Sequence, residues 1–277
     1  MHLAFVKKNL LLASLIAISA CQSQVDEKAT AALTLQGLSS PTMKEVESAQ
    51  WLASDSFWPG AERLQSSEKQ GLFVLDKQGV TLSQLPGTFA SIDHRVGPSG
   101  LLVAALDVDR QQAMLVNLAN QRWGEPLYLP QPAYKIDGLC LYRDAAQNAF
   151  VFLIGEEGIG EQWLVAQNEA PLATPKRVRG MSLPPASEYC QVDDIDERLY
   201  VNEEGVGLWA YAAHAEADLV REPVGLVQPF GEIAKALAGM AVVPGACWRW
   251  TRQATTCTAI SVAQKVGRLS RYCPWAN

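Results

Sequence analysis

Between residues 49 and 245 the chain alternates short apolar runs with polar, turn-forming breaks. No stretch keeps the apolar period of an amphipathic helix for a useful length, so the pattern predicts β-strands joined by turns. Four segments are alike: GLFVLDKQG from residue 71, AMLVNLANQ from 113, EQWLVAQNE from 161 and GLWAYAAHA from 207. Each is an apolar-rich strand running into a polar turn, and their starts lie 42, 48 and 46 residues apart. A period in the forties with several strands per unit predicts an all-β fold, a β-propeller with one blade per repeat. Phe73, Trp163 and Trp209 lie inside these runs and are expected to pack between blades.

A second series keeps the same period. Asp93 in SIDHR, Asp137 in KIDGLCLY and Glu188 in SEYCQV are 44 and 51 residues apart, and the next equivalent position is Ala238 in LAGMAV. The innermost strands of a propeller line its central channel, so one acid per blade at an equivalent position is expected to converge there. Clustered carboxylates suit a hard divalent cation such as Ca²⁺, which takes many oxygen ligands in flexible geometry. The densest acidic stretch, SEYCQVDDIDERLYVNEEGVGLW at 187–209, holds seven carboxylates. Asp193, Asp194, Asp196 and Glu197 read as turn residues, where Asp bonds the local backbone. Glu203 reads as a neighbour, which leaves Glu188 and Glu204 as the pair expected to hold something.

Composition narrows the partners. The 277-residue chain has a net charge of -6 and no Lys/Arg block, which argues against recognition of a nucleic-acid backbone and is compatible with cation binding. Residues 1–21 read as an export signal: Lys7 and Lys8 precede the apolar run NLLLASLIAISAC, too short for a usual membrane span. The run ends Ile18-Ser19-Ala20-Cys21, which resembles a bacterial lipobox. That implies a lipid anchor on Cys21, and Gln22 in place of Asp points to the outer membrane, facing the periplasm or the exterior. Residues 22–48 have few large apolar side chains and read as a flexible tether. Cys140 and Cys190, in apolar strand-like stretches, read as small buried residues, with a disulfide as the alternative.

The text changes at residue 246. Residues 246–277 hold three of the six Cys, three of the eight Trp, five Lys/Arg and none of the 29 acids. If Arg249 uses a CGN codon, reading 247–251 two bases later gives an apolar run ending in Asp, like LFVLD at 72–76. The tail is therefore expected to be an out-of-frame read-through, the alternative being a disordered or disulfide-linked segment.

From about Lys69 to Val243 the chain resembles the β-propeller phytases, Ca²⁺-dependent secreted enzymes that remove phosphates from inositol hexakisphosphate. The resemblance is carried by GLCLYRDAAQNAFVFLIGEEGIGEQWLV (138–165), SEYCQVDDIDERLYVNEEGVGLWAY (187–211) and, more weakly, EKQGLFVLDKQGVTLSQLPGTFASIDHR (68–95). It implies a six-bladed propeller, of which four to five blades are encoded before the tail. Glu188 falls on the Glu of the family's Ser/Thr-Glu-Gly motif and Glu204 on the second Glu of its Ala-Glu-Glu-Asp motif, both Ca²⁺ ligands there. Asp93 and Arg95 match the Asp and Arg of Asn-Asn-Val-Asp-Ile-Arg, near the metals. Lys69 matches one of a Lys pair that meets substrate phosphate, Tyr142 a substrate-side Tyr, and Arg110 lies near a phosphate-contacting Arg. The resemblance thus implies substrate contacts at Lys69, Arg95, Arg110 and Tyr142, and Ca²⁺ ligands at Glu188, Glu204 and Asp93; the period adds Asp137.

Departures accompany the matches. The family's acid-rich opening motif has no counterpart, AQWLASDSFWPG standing in that region. Glu156 and Glu68 stand where the family has phosphate-binding Lys, and Ala236 and Ala238 replace two Ca²⁺-binding acids. Lost ligands weaken cation binding, and a carboxylate repels a phosphate. The pattern resembles the incomplete N-terminal repeat of tandem phytases, in which a full catalytic propeller follows. Two expectations result: a Ca²⁺-dependent phytase-like phosphomonoesterase acting on phytate or lower inositol phosphates, weak alone; or a non-catalytic Ca²⁺ and inositol-phosphate-binding, accessory module of the cell envelope. His94 and His214 lie in no phosphatase-type loop, and GEEGIGEQW reads as a strand-joining turn rather than a nucleotide loop.

Overall fold

The computed structural model describes residues 45–52, 58–231, 233, 237–243, 246–251 and 258–260. The export signal, Cys21, Ala236 and nearly all of the tether lie outside the described residues, which contain no helix. Strands form because the apolar runs are short, rich in Val, Leu, Ile and aromatic residues, and closed by Gly, Asn or Asp at turns.

The strands make five consecutive antiparallel sheets. The first holds β1 (Ser48–Trp51), β2 (Arg63–Ser67), β3 (Gly71–Leu75) and β4 (Thr81–Leu85). The second holds β5 (Phe89–Gly97), β6 (Gly100–Asp107), β7 (Gln112–Ala119) and β8 (Arg122–Trp123), with β9 (Leu127–Tyr128) also on β7. The third is β10 (Ile136–Arg143), β11 (Ala149–Gly155), β12 (Ile159–Gln167) and β13 (Ala170–Ser182). The fourth is β14 (Cys190–Asp193), β15 (Arg198–Glu203), β16 (Gly207–Ala212) and β17 (Glu222–Leu226). The fifth has three described strands, β18 (Leu237–Val243), β19 (Ala246–Thr251) and β20 (Thr258–Ile260), the last two formed by tail residues. Strand order within each sheet is sequence order, each first strand lies beside the first strand of the next sheet, and the fold is a β-propeller. The four repeated segments are the third strands of their blades, β3, β7, β12 and β16.

Sheets stacked this way are covered on both faces, which is why the second strands β6 and β11 read as nearly unbroken apolar runs rather than as alternating ones. Alternate side chains enter different inter-blade cores. On β11, Val151 and Leu153 pack with Leu115 and Leu139 between the second and third blades, while Phe150 and Phe152 pack with Leu199 and Val201 between the third and fourth. On β6, Leu101, Val103 and Ala105 face the first blade and Ala104 and Leu106 the third. Each core is therefore built by two blades and belongs to neither.

One expectation is corrected here. Cys140 and Cys190, read as separate small buried residues, form a disulfide with Cα atoms 5.8 Å apart. They are 50 residues apart in sequence, and only the stacking of β14 on β10 brings them together.

Candidate functional site at the upper ends of the blades

Each blade enters on its first strand and returns on its second. The turns between second and third strands therefore share one end, here called upper, with the segments that lead into the first strands. Lys69 sits on the β2–β3 turn, Arg110 on β6–β7, Glu156 on β11–β12 and Glu204 on β15–β16, while Asp137 opens β10 and Glu188 precedes β14. Backbone hydrogen bonds tie several of these pieces together. Ala186 N donates to Glu156 O at 3.1 Å, Glu204 N to Ala186 O at 3.1 Å, and Leu183 N to Gly158 O at 2.7 Å.

Asp137 and Glu188 approach through their backbones. Gly138 lies so close to the carbonyl of Glu188 that a Cβ there would collide with it, so glycine is required by proximity. Asp137 Oδ1 accepts from Lys135 Nζ at 2.8 Å, and its Oδ2 is buried with no hydrogen-bond partner among the described residues. The Asp137 carboxylate and, beyond it, that of Glu156 at 3.8 Å hold Lys135 charged above its ordinary pKa. Glu188 N and Tyr189 N both donate to Asn202 Oδ1, at 2.9 and 2.7 Å, which fixes the segment carrying Glu188 onto β15. Asn202 is fully buried and sequence reasoning missed it. The available signal was an Asn at the position of the Ala in the family's Ala-Glu-Glu-Asp motif.

The basic residues of this end are paired. Exposed Lys69 contacts Glu45 at 2.6 Å, and that bond raises its pKa. Arg110 lies 3.4 Å from Asp107 and over the ring of Tyr128, whose hydroxyl also donates to Asp107 at 3.1 Å. Glu203 accepts from Trp209 Nε1 at 2.7 Å and lies 3.9 Å from Arg221, so it braces the outer face of its blade.

Three expected site residues lie lower, in the seams between blades. Asp93 is buried, and its oxygens accept from Leu141 N at 2.8 Å, His94 N at 2.7 Å and Arg95 Nη1 at 3.1 Å. Leu141 lies four residues beyond Asp137 on β10, about 13 Å at a rise of ~3.3 Å per residue. Asp93 thus stands well below Asp137 and Glu188, because it is the fifth residue of β5, whereas Asp137 is the second of β10 and Glu188 precedes β14. Arg95, expected at substrate phosphate, is enclosed. Its Nε donates to Asp194 Oδ2 at 2.7 Å, its Nη2 to Asp194 Oδ1 at 3.0 Å and to the Leu141 carbonyl, and its Nη1 to Asp93 and to His94 O at 2.8 Å. Burial alone would lower its pKa, but Asp93 and Asp194 outweigh burial and hold the charge. Asp194, read as a turn residue, is thereby half of a clasp that spans three blades.

Tyr142, expected at the substrate, is fully buried and stacks on Phe150 with centroids 5.5 Å apart. Its hydroxyl donates to Glu197 Oε1 at 2.9 Å, and burial, reinforced by that bond, raises its pKa. Asp193 keeps its expected turn role, Oδ1 accepting from Ile195 N at 2.9 Å and Asp196 N at 3.1 Å. Among the described residues no three or more His, Cys, Asp or Glu form a group that could hold a metal ion, so the four expected ligands do not converge. The Ca²⁺ fit is accordingly partial: an orphaned buried oxygen on Asp137 beside the Glu188 segment suits a hard cation, whereas Asp93 is already saturated.

The sequence profile of the family described as Phytase matches residues 90–231, from the second blade through the fourth. The chain belongs to the phytase family. No curated protein matches this phytase-family chain in sequence. Among solved structures, that of PorZ of Porphyromonas gingivalis, an essential bacterial surface component of the type-IX secretion system, shares 13% identity at a TM-score of 0.47. The likeness covers 84% of this chain and 27% of PorZ, so the chain spans about a quarter of that protein's length.

Proposed function

We propose that this phytase-family propeller is a Ca²⁺-dependent phosphomonoesterase acting on phytate or lower inositol phosphates, with weak activity by itself. The observation that carries the reading is the family match across three complete blades, joined to the placement of Asp137, Glu188 and Glu204 at one end. A bound Ca²⁺ would neutralise phosphate charge and lower the pKa of a coordinated water. Asp137 and Glu188 would hold the cation, Asn202 orients the Glu188 segment, and Lys69 and Arg110 would draw the anionic substrate to the same end. Weakness follows from the pairing of both cations with carboxylates and from Glu68 and Glu156, which repel phosphate.

The neutralised cations and saturated Asp93 also favour a second reading, a propeller that binds Ca²⁺ and inositol phosphates without turnover and assists a catalytic phytase domain. The buried disulfide supports work in an oxidising compartment, in keeping with export and a lipid anchor at Cys21 in the outer membrane. Phosphate release from phytate and from lower inositol phosphates, with and without Ca²⁺, tests the first reading. Ca²⁺-dependent release that disappears in Glu188→Gln is the expected result. Ca²⁺-dependent thermal stabilisation without release favours the second reading, and neither effect refutes both.

A further inference from the structure

The seam between the third and fourth blades has no backbone ladder, because β10 and β14 belong to different sheets. Outside, β11 packs on β15, and Gln162 and Arg179 donate to carbonyls of the fourth blade; the inner edge is closed by one face of β10. Gly138, Cys140 and Tyr142 alternate with Leu139 and Leu141, which face the second blade. At the top Gly138 abuts the Glu188 carbonyl, in the middle Cys140 is bonded to Cys190, and at the bottom the Tyr142 hydroxyl reaches Glu197. The Arg95 clasp, touching Leu141 O and Asp194, closes the lower part a second time. At the top the strands β10 and β14 themselves meet only by van der Waals contact, Ala186 bridging Glu156 and Glu204 by two backbone hydrogen bonds beside it, and the covalent bond lies two residues below Gly138 and Glu188.

We infer that the Cys140–Cys190 disulfide positions the upper site, holding the Glu188 segment against Gly138 and so beside Asp137. Asn202 fixes the Glu188 segment to its own blade, and the disulfide fixes that blade to the next. Without it the lower fasteners keep the blades stacked, while the upper seam keeps only the Gly138 contact and the two Ala186 backbone hydrogen bonds and loosens, separating the two carboxylates. Both cysteines are buried, so reduction is slow and the bond acts as a permanent brace. Its relevance to Ca²⁺ rests on the proposed function; the opening of the seam does not.

The test compares oxidised protein, dithiothreitol-reduced protein and the Cys140→Ala/Cys190→Ala variant. In the reduction, one thiolate of dithiothreitol attacks the S–S bond, its second thiol displaces the protein sulfur, and two cysteine thiols and the cyclic disulfide of dithiothreitol result. Hydrogen exchange read by mass spectrometry should accelerate at least about tenfold over 136–140 and 187–191 in both altered forms. Strands β11, β12, β15 and β16 should keep their protection. No change, or an equal acceleration in every strand, overturns the inference whatever the cation does. In the same samples Ca²⁺ affinity should fall about tenfold and return on reoxidation. Equal affinity in both redox states overturns the positioning role. An oxidised protein that binds no Ca²⁺ sinks the proposed function, while the exchange pattern still decides the brace.

Discussion

Replacing Arg95 by Met separates two jobs for that residue. In the structure its guanidinium bonds the carboxylates of Asp93 and Asp194 and the carbonyls of His94 and Leu141, joining the second, third and fourth blades. Met retains much of the apolar stem and removes every one of these bonds. Asp93, with only 2% of its side chain exposed, is then left as a buried charge supported by two backbone N–H groups. Breaking a buried pair by removing one partner costs about 3–5 kcal/mol. The lower end applies here, because the remaining N–H bonds satisfy Asp93 in part and Asp194 can turn to water. A loss of about 3 kcal/mol corresponds to a fall in Tm of roughly 6–12 °C for a domain of this size. Urea unfolding of the single variant and of Arg95→Met/Asp93→Asn measures it, and the double variant should recover part of the loss because no stranded charge remains. A stability change below about 0.5 kcal/mol, accompanied by loss of inositol-phosphate binding, would refute the clasp and return Arg95 to the substrate.

Further outcomes follow from other contacts. Gly138→Ala drives a methyl group into the Glu188 carbonyl, and should cost roughly 1–3 kcal/mol in urea unfolding while weakening Ca²⁺ binding; an unchanged midpoint contradicts the contact. His94 has its pKa lowered to about 4, first by burial, with Arg95 adding to the fall and Asp93 opposing it. Its folded pKa lies below the unfolded one, so its stabilising effect is complete above pH ~6.5 and is lost as pH falls from there through about 4, at most about 3 kcal/mol. The Tm of the protein should fall more steeply than that of His94→Gln across this window, and parallel curves would show that His94 does not titrate there. Phe152→Ala, emptying a fully buried site between the third and fourth blades, should cost about 3–5 kcal/mol by the same unfolding assay, and a cost below 1 kcal/mol would contradict that packing.

The blades were legible because their cause is local. GLFVL, AMLV, EQWLV and GLWAY became third strands where the repeat placed them, since a five-residue apolar run closed by a polar turn has few other ways to satisfy its backbone. Trp163 and Trp209 packed between blades as their setting suggested. The candidate site was legible only in part. The period correctly placed Asp137 and Glu188 at the entries to successive first strands, but it assigned Asp93 the same depth. A period counts residues along the chain and is blind to bulges, such as that between Ile136 and Gly138, and to turns of unequal length.

The sequence by itself determined the all-β architecture, the number of repeats within the matched region, and which stretches carry the acids. These depend on short-range pattern, on periods of 2 within a strand and of forty-odd residues between strands. Tertiary structure alone decided the partners. Cys140 meets Cys190, Arg95 meets Asp194, and Asn202 meets the amides of Glu188 and Tyr189. Two of these pairings cross from one blade to another and the third joins a loop to the upper end of a neighbouring strand. Hydrogen bonding and charge fix their strength, but the angle and depth at which blades stack fix which groups can meet at all.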